Sequence, residues 1–325
     1  MRRLLLTRLL WAIPVVAVVV IVNFLLTRLV PGDPLVAIVG EYPVTPEYLA
    51  EIRHNLQLDQ PLAIQLVSYL WAVMRGDLGF SFVNQQTVLS LVLQRAQASL
   101  LLLGPALLLA TIVGLLFARI SIARRGSGRV LLSAIVLFGF SVPVFWLGQM
   151  LIVLFAVKLH WLPAQGMASM RGVHGALATG WDFFLHWIMP GFTVGVFHVA
   201  VIARVAQASL RDAMSQDFVI TARAKGISER AIFWRHILPN ALLPVITVIG
   251  YNFGAALTGT IMVESVFAWP GLGTLLLNSI TNRDYPVVQG IFLLSGSIIV
   301  LVNIATDLIY GFIDPRIRSG YSGGR

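Results

Sequence analysis

From Leu9 to Leu29 the chain places Val, Ile, Leu and Ala on every face of a helix. A helix packed on a soluble core keeps one polar face, so an apolar run without one reads as a membrane span. About 20 residues at 1.5 Å rise cross a hydrocarbon layer about 30 Å thick. Six runs meet that measure: Leu9 to Leu29, Ser99 to Ala118, Val130 to Val157, Trp187 to Ile202, Ala241 to Val263 and Val288 to Phe312. Pro190 and Gly191 interrupt the start of the fourth and Arg204 crowds its end, while Pro143 predicts a kink in the third. The expected fold class is an all-α membrane protein with six transmembrane helices. Its divisions are residues 1–8 (N-terminus), 9–29 (first span), 30–98 (a long external segment), 99–312 (a core of five spans) and 313–325 (tail).

Composition narrows the class further. Hydrophobic residues make up 58% of the chain and charged residues only 11%, against about 25% charged in an ordinary soluble domain. Such a chain is not a soluble enzyme, a disulfide-stapled secreted domain or a disordered segment. The absence of cysteine excludes structural disulfides and thiolate metal sites.

The formal charge of +9 is explained by where the basic residues fall, and no nucleic-acid partner is expected. Sixteen of the 23 Lys and Arg lie in the N-terminus, the second-to-third loop, the fourth-to-fifth loop and the C-terminal tail. Short basic loops stay cytoplasmic, so an even number of spans with both termini inside fits the alternation. The N-terminal apolar run exceeds the 7 to 15 residues of a cleaved signal, and is read as a retained span.

Two segments between the spans stand out. In the external one, Thr45 and Pro46 form an N-cap and N1 pair ahead of Leu49, Ile52 and Leu56. A second helix is expected through Leu62, Leu66, Tyr69 and Val73, ended by Gly76 and Gly79. This segment either packs on the spans as interfacial helices or docks an external partner. In the internal one, about 204–240, a helix from Asp217 to Lys225 stops at Gly226, placed as a left-handed C′ residue. A second stretch runs from Ser228 to Ile237, and Pro239 begins the entry to the fifth span. Two short helices on a glycine turn bury little by themselves, so the unit reads as one held by another protein.

Thr221-Ala-Arg-Ala-Lys-Gly226, followed by Leu238-Pro239, resembles the EAA loop of ABC importer permeases in the form used by the dipeptide, oligopeptide and nickel family. Leu29-Val-Pro-Gly-Asp-Pro34, Leu58-Asp-Gln-Pro61, Gly76-Asp-Leu-Gly79, Val263-Glu-Ser-Val-Phe267, Pro270-Gly-Leu-Gly273, Arg283-Asp-Tyr-Pro286 and Asp314-Pro-Arg-Ile-Arg318 add to the likeness, which covers nearly the whole chain. Two positions depart from it: the acid of the general loop pattern is absent, and Ile220 stands where a basic residue is usual.

The resemblance implies a peptide permease subunit of the inner membrane that performs no chemistry itself. Its implied partners are a second homologous permease, two cytoplasmic ATPase subunits that bind the ATP and Mg, and a periplasmic or lipid-anchored substrate-binding protein. Asp217, Thr221, Ala222, Arg223, Ala224, Lys225, Gly226, Leu238 and Pro239 form the implied ATPase-coupling loop, with Ala222 expected to face the ATPase groove. Nickel complexes and oligosaccharides stay open as alternative cargo.

The residues themselves carry no enzyme. A phosphate-binding glycine loop with Lys and Ser/Thr is missing, so ATP hydrolysis belongs to another chain. An intramembrane protease would need a serine and histidine pair. Ser141 and His198 come nearest, but glycine does not follow the serine. The six histidines show no metal-ligand spacing. No catalytic, cofactor-binding or metal residue is expected. A secondary transporter or channel is the other functional class, although a carrier of that kind normally shows two related halves, and none is evident. Ionisable residues at membrane depth face an interior or an aqueous path; Glu264 and Asp307, each a gate or a structural cap, are the candidates.

Overall fold

The computed structural model describes residues 2–29, 59–124, 126–169, 172 and 174–313, with isolated positions at 45, 47, 50 and 54. The expected helix after Thr45-Pro46 and the motifs at 29–34 and 314–318 lie wholly or largely outside the described residues. Helices α1 (Arg2–Leu29) and α2 (Leu62–Met74) lead into a two-stranded hairpin, β1 (Phe80–Ser81) and β2 (Gln86–Thr87), paired antiparallel with Phe80 opposite Thr87. Then come α3 (Val88–Ala123), α4 (Ser127–Ser141), α5 (Val144–Leu151) with a π-helical turn Ile152–Lys158, and α6 (Ala176–Met214). The short helices α7 (Asp217–Ala224) and α8 (Glu229–Ile232), with a second π-helical turn Phe233–Ile237, precede α9 (Leu238–Gly259). Last are α10 (Ile261–Val266), α11 (Leu272–Thr281) and α12 (Tyr285–Ile313).

Among the described residues, five helices are long and apolar enough to cross a membrane, and six crossings result if the bent α4–α5 pair counts as one. The kink expected in the third span at Pro143 is a full break: α4 and the helix after it meet at 96°. Pro143 explains the break, because its ring excludes the α region for the residue before it, and Val142 sits at φ −74°, ψ 126°. The pair nevertheless makes a single return. Trp187 donates to the Leu102 carbonyl at 3.2 Å, and Gly114 faces Ile202. Sequence numbers on α3 and α6 thus rise together, the two helices run parallel, and one crossing must lie between them.

Other span ends shift as well. Pro190, expected to interrupt the start of the fourth span, lies well inside the 39-residue α6, which begins at Ala176. The second span is the middle of α3, which reaches back to Val88, so the expected external segment ends inside a helix. The fifth stops at Gly259, before Val263. Pro239 also sits inside a helix, since α8, the π-turn and α9 read as one span from Glu229. Proline removes a backbone donor, and the wider turn just before it, with Asn240 donating to the His236 carbonyl at 2.7 Å, accommodates the loss.

Buried side chains form three layers along α3. The first joins Val88 and Leu91 to Leu272, Leu275 and Val287; the second joins Leu102 and Leu103 to Met189, Phe267 and Trp269; the third joins Ala110 and Ala118 to Ile202, Ala206 and the loop residues Val219 and Ile232. Helix α1 lies against α12 and is tied to it twice. Asn23 donates to the Gln289 carbonyl at 2.9 Å, and Arg8 approaches Asp307 at 3.0 Å.

Candidate functional site

The residues singled out from sequence fall into two places. The first is the α7–α8 unit. Helix α7 closes in a full Schellman arrangement: Gly226 N–H donates to Arg223 O at 2.9 Å, and Ile227 N–H donates to Ala222 O at 3.2 Å. This needs a left-handed residue, and Gly226 has φ +75°. Ser228 then caps α8, accepting from Ala231 N–H at 3.4 Å. Across the turn Arg223 forms a fork with Glu229, Nε to Oε1 at 2.6 Å and Nη2 to Oε2 at 3.2 Å, which raises the guanidinium pKa above its ordinary value.

The unit is not loose. Val219 and Ile232 are fully buried and Ala222 and Ile237 nearly so, all packed against α3, α6 and α9. Arg119 at the end of α3 lies over both the Phe233 and Trp234 rings, at 5.5 and 5.3 Å. This corrects two expectations. The two short helices do bury a face, on their own chain. Ala222 belongs to that face and does not point to a partner's groove. The outward face carries Asp217, Phe218, Ile220, Thr221, Ala224's neighbour Lys225 and Trp234; Ile220 is 61% exposed. Leu238 and Pro239 stand at the start of α9, half-buried, and carry the unit into the span.

The second place surrounds Glu264. Its carboxylate is fully buried and accepts from Gly273 N–H at 2.7 Å and Thr274 N–H at 3.1 Å, two orphan donors of the first turn of α11. Its other oxygen accepts from Ser99 Oγ at 2.6 Å and Thr260 Oγ1 at 3.3 Å. Ser99 Oγ in turn accepts from Leu272 N–H at 2.8 Å. Three successive amides of α11 are thus satisfied by side chains from α3 and α10, a capping geometry that favours negative charge. A Cβ at Gly271 would overlap this carboxylate, and one at Gly273 would come within 2.7 Å of Ile261 Cα. Trp269, fully buried, donates to the Ala98 carbonyl at 2.9 Å. The Pro270-Gly-Leu-Gly273 motif is the turn that lets α11 seat on Glu264.

Asp307 pairs with Arg8, although the Arg8 N–H does not aim at the carboxylate, so this is a charge contact and not a hydrogen bond. Ser141 Oγ donates to the Leu137 carbonyl of its own helix at 2.9 Å, and no hydrogen bond joins it to His198, whose Nδ1 has no hydrogen-bond partner; no serine–histidine pair forms. A cleft of about 620 Å³ between α3, α4 and α6 is lined by apolar side chains such as Leu109, Val113, Phe117, Val136 and Val196. A peptide backbone would find no hydrogen-bond partner there.

Sequence reasoning assigned no role to Ser99, Arg119, Glu229 or Asp284, although Asp284 lies in the Arg283-Asp-Tyr-Pro286 motif. Ser99 and Arg119 gain partners more than a hundred residues away, which periodicity does not reveal. Asp284, buried before α12, accepts from Ser81 Oγ at 2.5 Å and latches the hairpin to the core.

Comparison with known proteins agrees with this architecture. The family described as "Binding-protein-dependent transport system inner membrane component" matches residues 110–319, and its N-terminal counterpart matches residues 1–103. The chain belongs to this family. It is a multi-pass inner-membrane permease component. It is 37% identical to the dipeptide transport system permease protein DppB of Escherichia coli (strain K12), over 98% of this chain and 99% of that one. It is 40% identical to the probable peptide ABC transporter permease protein y4tP of Sinorhizobium fredii, over 96% and 98%. A di/tripeptide transport system permease, DppB of Pseudomonas aeruginosa, is 38% identical over 94% and 96%. Among solved structures, the MetNI methionine ABC transporter in inward-facing conformation matches with a TM-score of 0.51 at 19% identity, covering 69% of this chain and 96% of that one; this likeness is one of fold.

Proposed function

We propose that this permease imports peptides, dipeptides or oligopeptides, as one half of a membrane channel completed by a second, homologous permease. Two cytoplasmic ATPase subunits sit beneath the pair, one of them holding the α7–α8 unit, and a periplasmic or lipid-anchored binding protein delivers the cargo from outside. Both termini are cytoplasmic. The near-full-length likeness to proteins named as peptide permeases supports the cargo class. The observation that carries the coupling role is the two-sided build of α7: one face fixed in its own membrane core, the other offering Phe218 and Ile220 outward.

In this mechanism ATP binding draws the ATPases together, and α7 moves with the subunit that holds it. Because Val219, Ala222, Ile232 and Ile237 share a cluster with Ile202, Ala206 and Val245, the displacement passes into α6 and α9 through packed contacts. The bundle switches between two packings that the nucleotide states bias differently. The Arg223–Glu229 fork keeps the two short helices acting as one piece. Reconstituted complex should take up labelled dipeptide only with ATP, binding protein and both ATPases present. Uptake driven by an ion gradient without them would replace this reading with a secondary carrier.

A further inference from the structure

Helix α2 is built inside out. Its thirteen residues, Leu-Ala-Ile-Gln-Leu-Val-Ser-Tyr-Leu-Trp-Ala-Val-Met, contain no Lys, Arg, Asp or Glu. Two of its three polar positions turn toward the protein, and the third, Ser68, is half-buried: Gln65 is buried and donates to the Gln60 carbonyl at 2.8 Å, and Tyr69 stacks on Phe24 of α1 at 5.5 Å. Ile64, Val67, Trp71 and Met74 recur at helical spacing and form one stripe on the opposite side. Val67 is 66% exposed and Met74 71%. A helix facing water would carry the reverse pattern, since an apolar stripe of this kind marks a face that another phase or molecule covers.

We propose that this stripe lies in the lipid of the membrane surface, as an interfacial helix embedded in the outer leaflet at the boundary between headgroups and acyl chains. Three observations favour lipid over a protein partner. Phe24, which α2 stacks on, sits near the end of α1, where its neighbours Val22, Leu25 and Leu26 are exposed and apolar, so α2 packs beside a surface suited to acyl chains. At the C-terminal end of α2, Arg75 lies 4.5 Å from the Trp71 ring centroid, an indole and guanidinium pair suited to the headgroup level. The stripe itself offers no charged group with which a protein partner could be selected. The inference rests on the orientation proposed above, with the N-terminus cytoplasmic, and stands apart from the cargo and coupling. Its consequence is mechanical: α2 fixes the depth of the hairpin that follows, and through the Ser81–Asp284 bond the depth of the start of α12.

The chain has no cysteine, so single Ile64→Cys, Val67→Cys and Met74→Cys variants each take a spin label at one place. In the assembled transporter in phospholipid nanodiscs, their accessibility to oxygen and to a water-soluble nickel chelate reads their depth. Leu10→Cys serves as the lipid-facing reference and Gln85→Cys as the aqueous one. The three stripe labels should behave like Leu10, open to oxygen and lost to the chelate. Chelate access equal to that at Gln85 would place the face in water and overturn the proposal. So would protection from both reagents, which would mean that a binding protein or second permease covers it.

Discussion

Replacing Glu264 separates a cap from a gate. Glu264→Ala leaves the amides of Gly273 and Thr274 and the hydroxyls of Ser99 and Thr260 without their acceptor in a site closed to water. Each buried donor left unmade costs about 1–3 kcal/mol. Four of them sum to roughly 4–12 kcal/mol, comparable with the whole stability of many domains. Glu264→Gln is the informative variant. Its single carbonyl oxygen can still serve Gly273 and Thr274, but its NH₂ then faces Ser99, which already accepts from Leu272. The hydroxyl protons of Ser99 and Thr260 lose their acceptor, at about 1–3 kcal/mol each. Gly271→Ala should act through the same contact, because the added methyl would overlap the carboxylate. The assay is thermal unfolding of purified permease complex beside peptide uptake at matched assembly. The account expects stability to fall in the order wild type, Gln, Ala, with uptake per assembled Gln complex near normal. A Gln variant as stable as wild type but unable to transport would refute the cap and make Glu264 a gate.

Three further outcomes follow from the same geometry. Ala222→Glu puts a charge against the permease's own core and should lower assembly, whereas Ile220→Glu should assemble normally and lose ATP-coupled uptake; equal effects in quantitative western blots and transport assays would contradict the two-faced helix. Fusion reporters at Gly126, Ser228 and Gly324 should report cytoplasm, and those at Gln85 and Met167 the outside. Burial pushes the Asp284 carboxyl above its ordinary value, against the opposing pull of Ser81, Asn84 and the Val287 backbone. A raised folded-state pKa means that the contribution is full below the ordinary carboxylate range and is lost as pH climbs through the raised value. The melting temperature of wild type relative to Asp284→Asn should therefore fall over that rise in pH, and a flat difference would count against it.

Much of the fold was legible because lipid enforces it. Spans must be apolar and about 20 residues long, and basic residues gather on one side. Gly226 was readable because only a few residues accept a left-handed backbone. What sequence did not convey depended on distant partners. The 96° bend was foreseen only as a kink, since Pro143 fixes where a helix breaks and not how far it turns. Pro190 and Pro239 read as boundaries, yet both sit within helices, where neighbouring helices and a π-turn absorb the missing donor. Ala222 was assigned to the wrong face because an alanine in a short helix carries no signal of which side is covered.

The central claim is that α7 links the membrane core to the ATPases. Gly226→Val tests it most directly. Nothing lies within 4 Å of the added Cβ, so the substitution removes no packing contact and acts on the backbone alone. A β-branched residue at φ +75° is strained by about 1–3 kcal/mol, enough to reorient α7. In reconstituted complex, peptide uptake and binding-protein-stimulated ATP hydrolysis should fall together while the chain inserts and assembles normally. Full uptake and full stimulation by Gly226→Val at normal assembly would contradict the account.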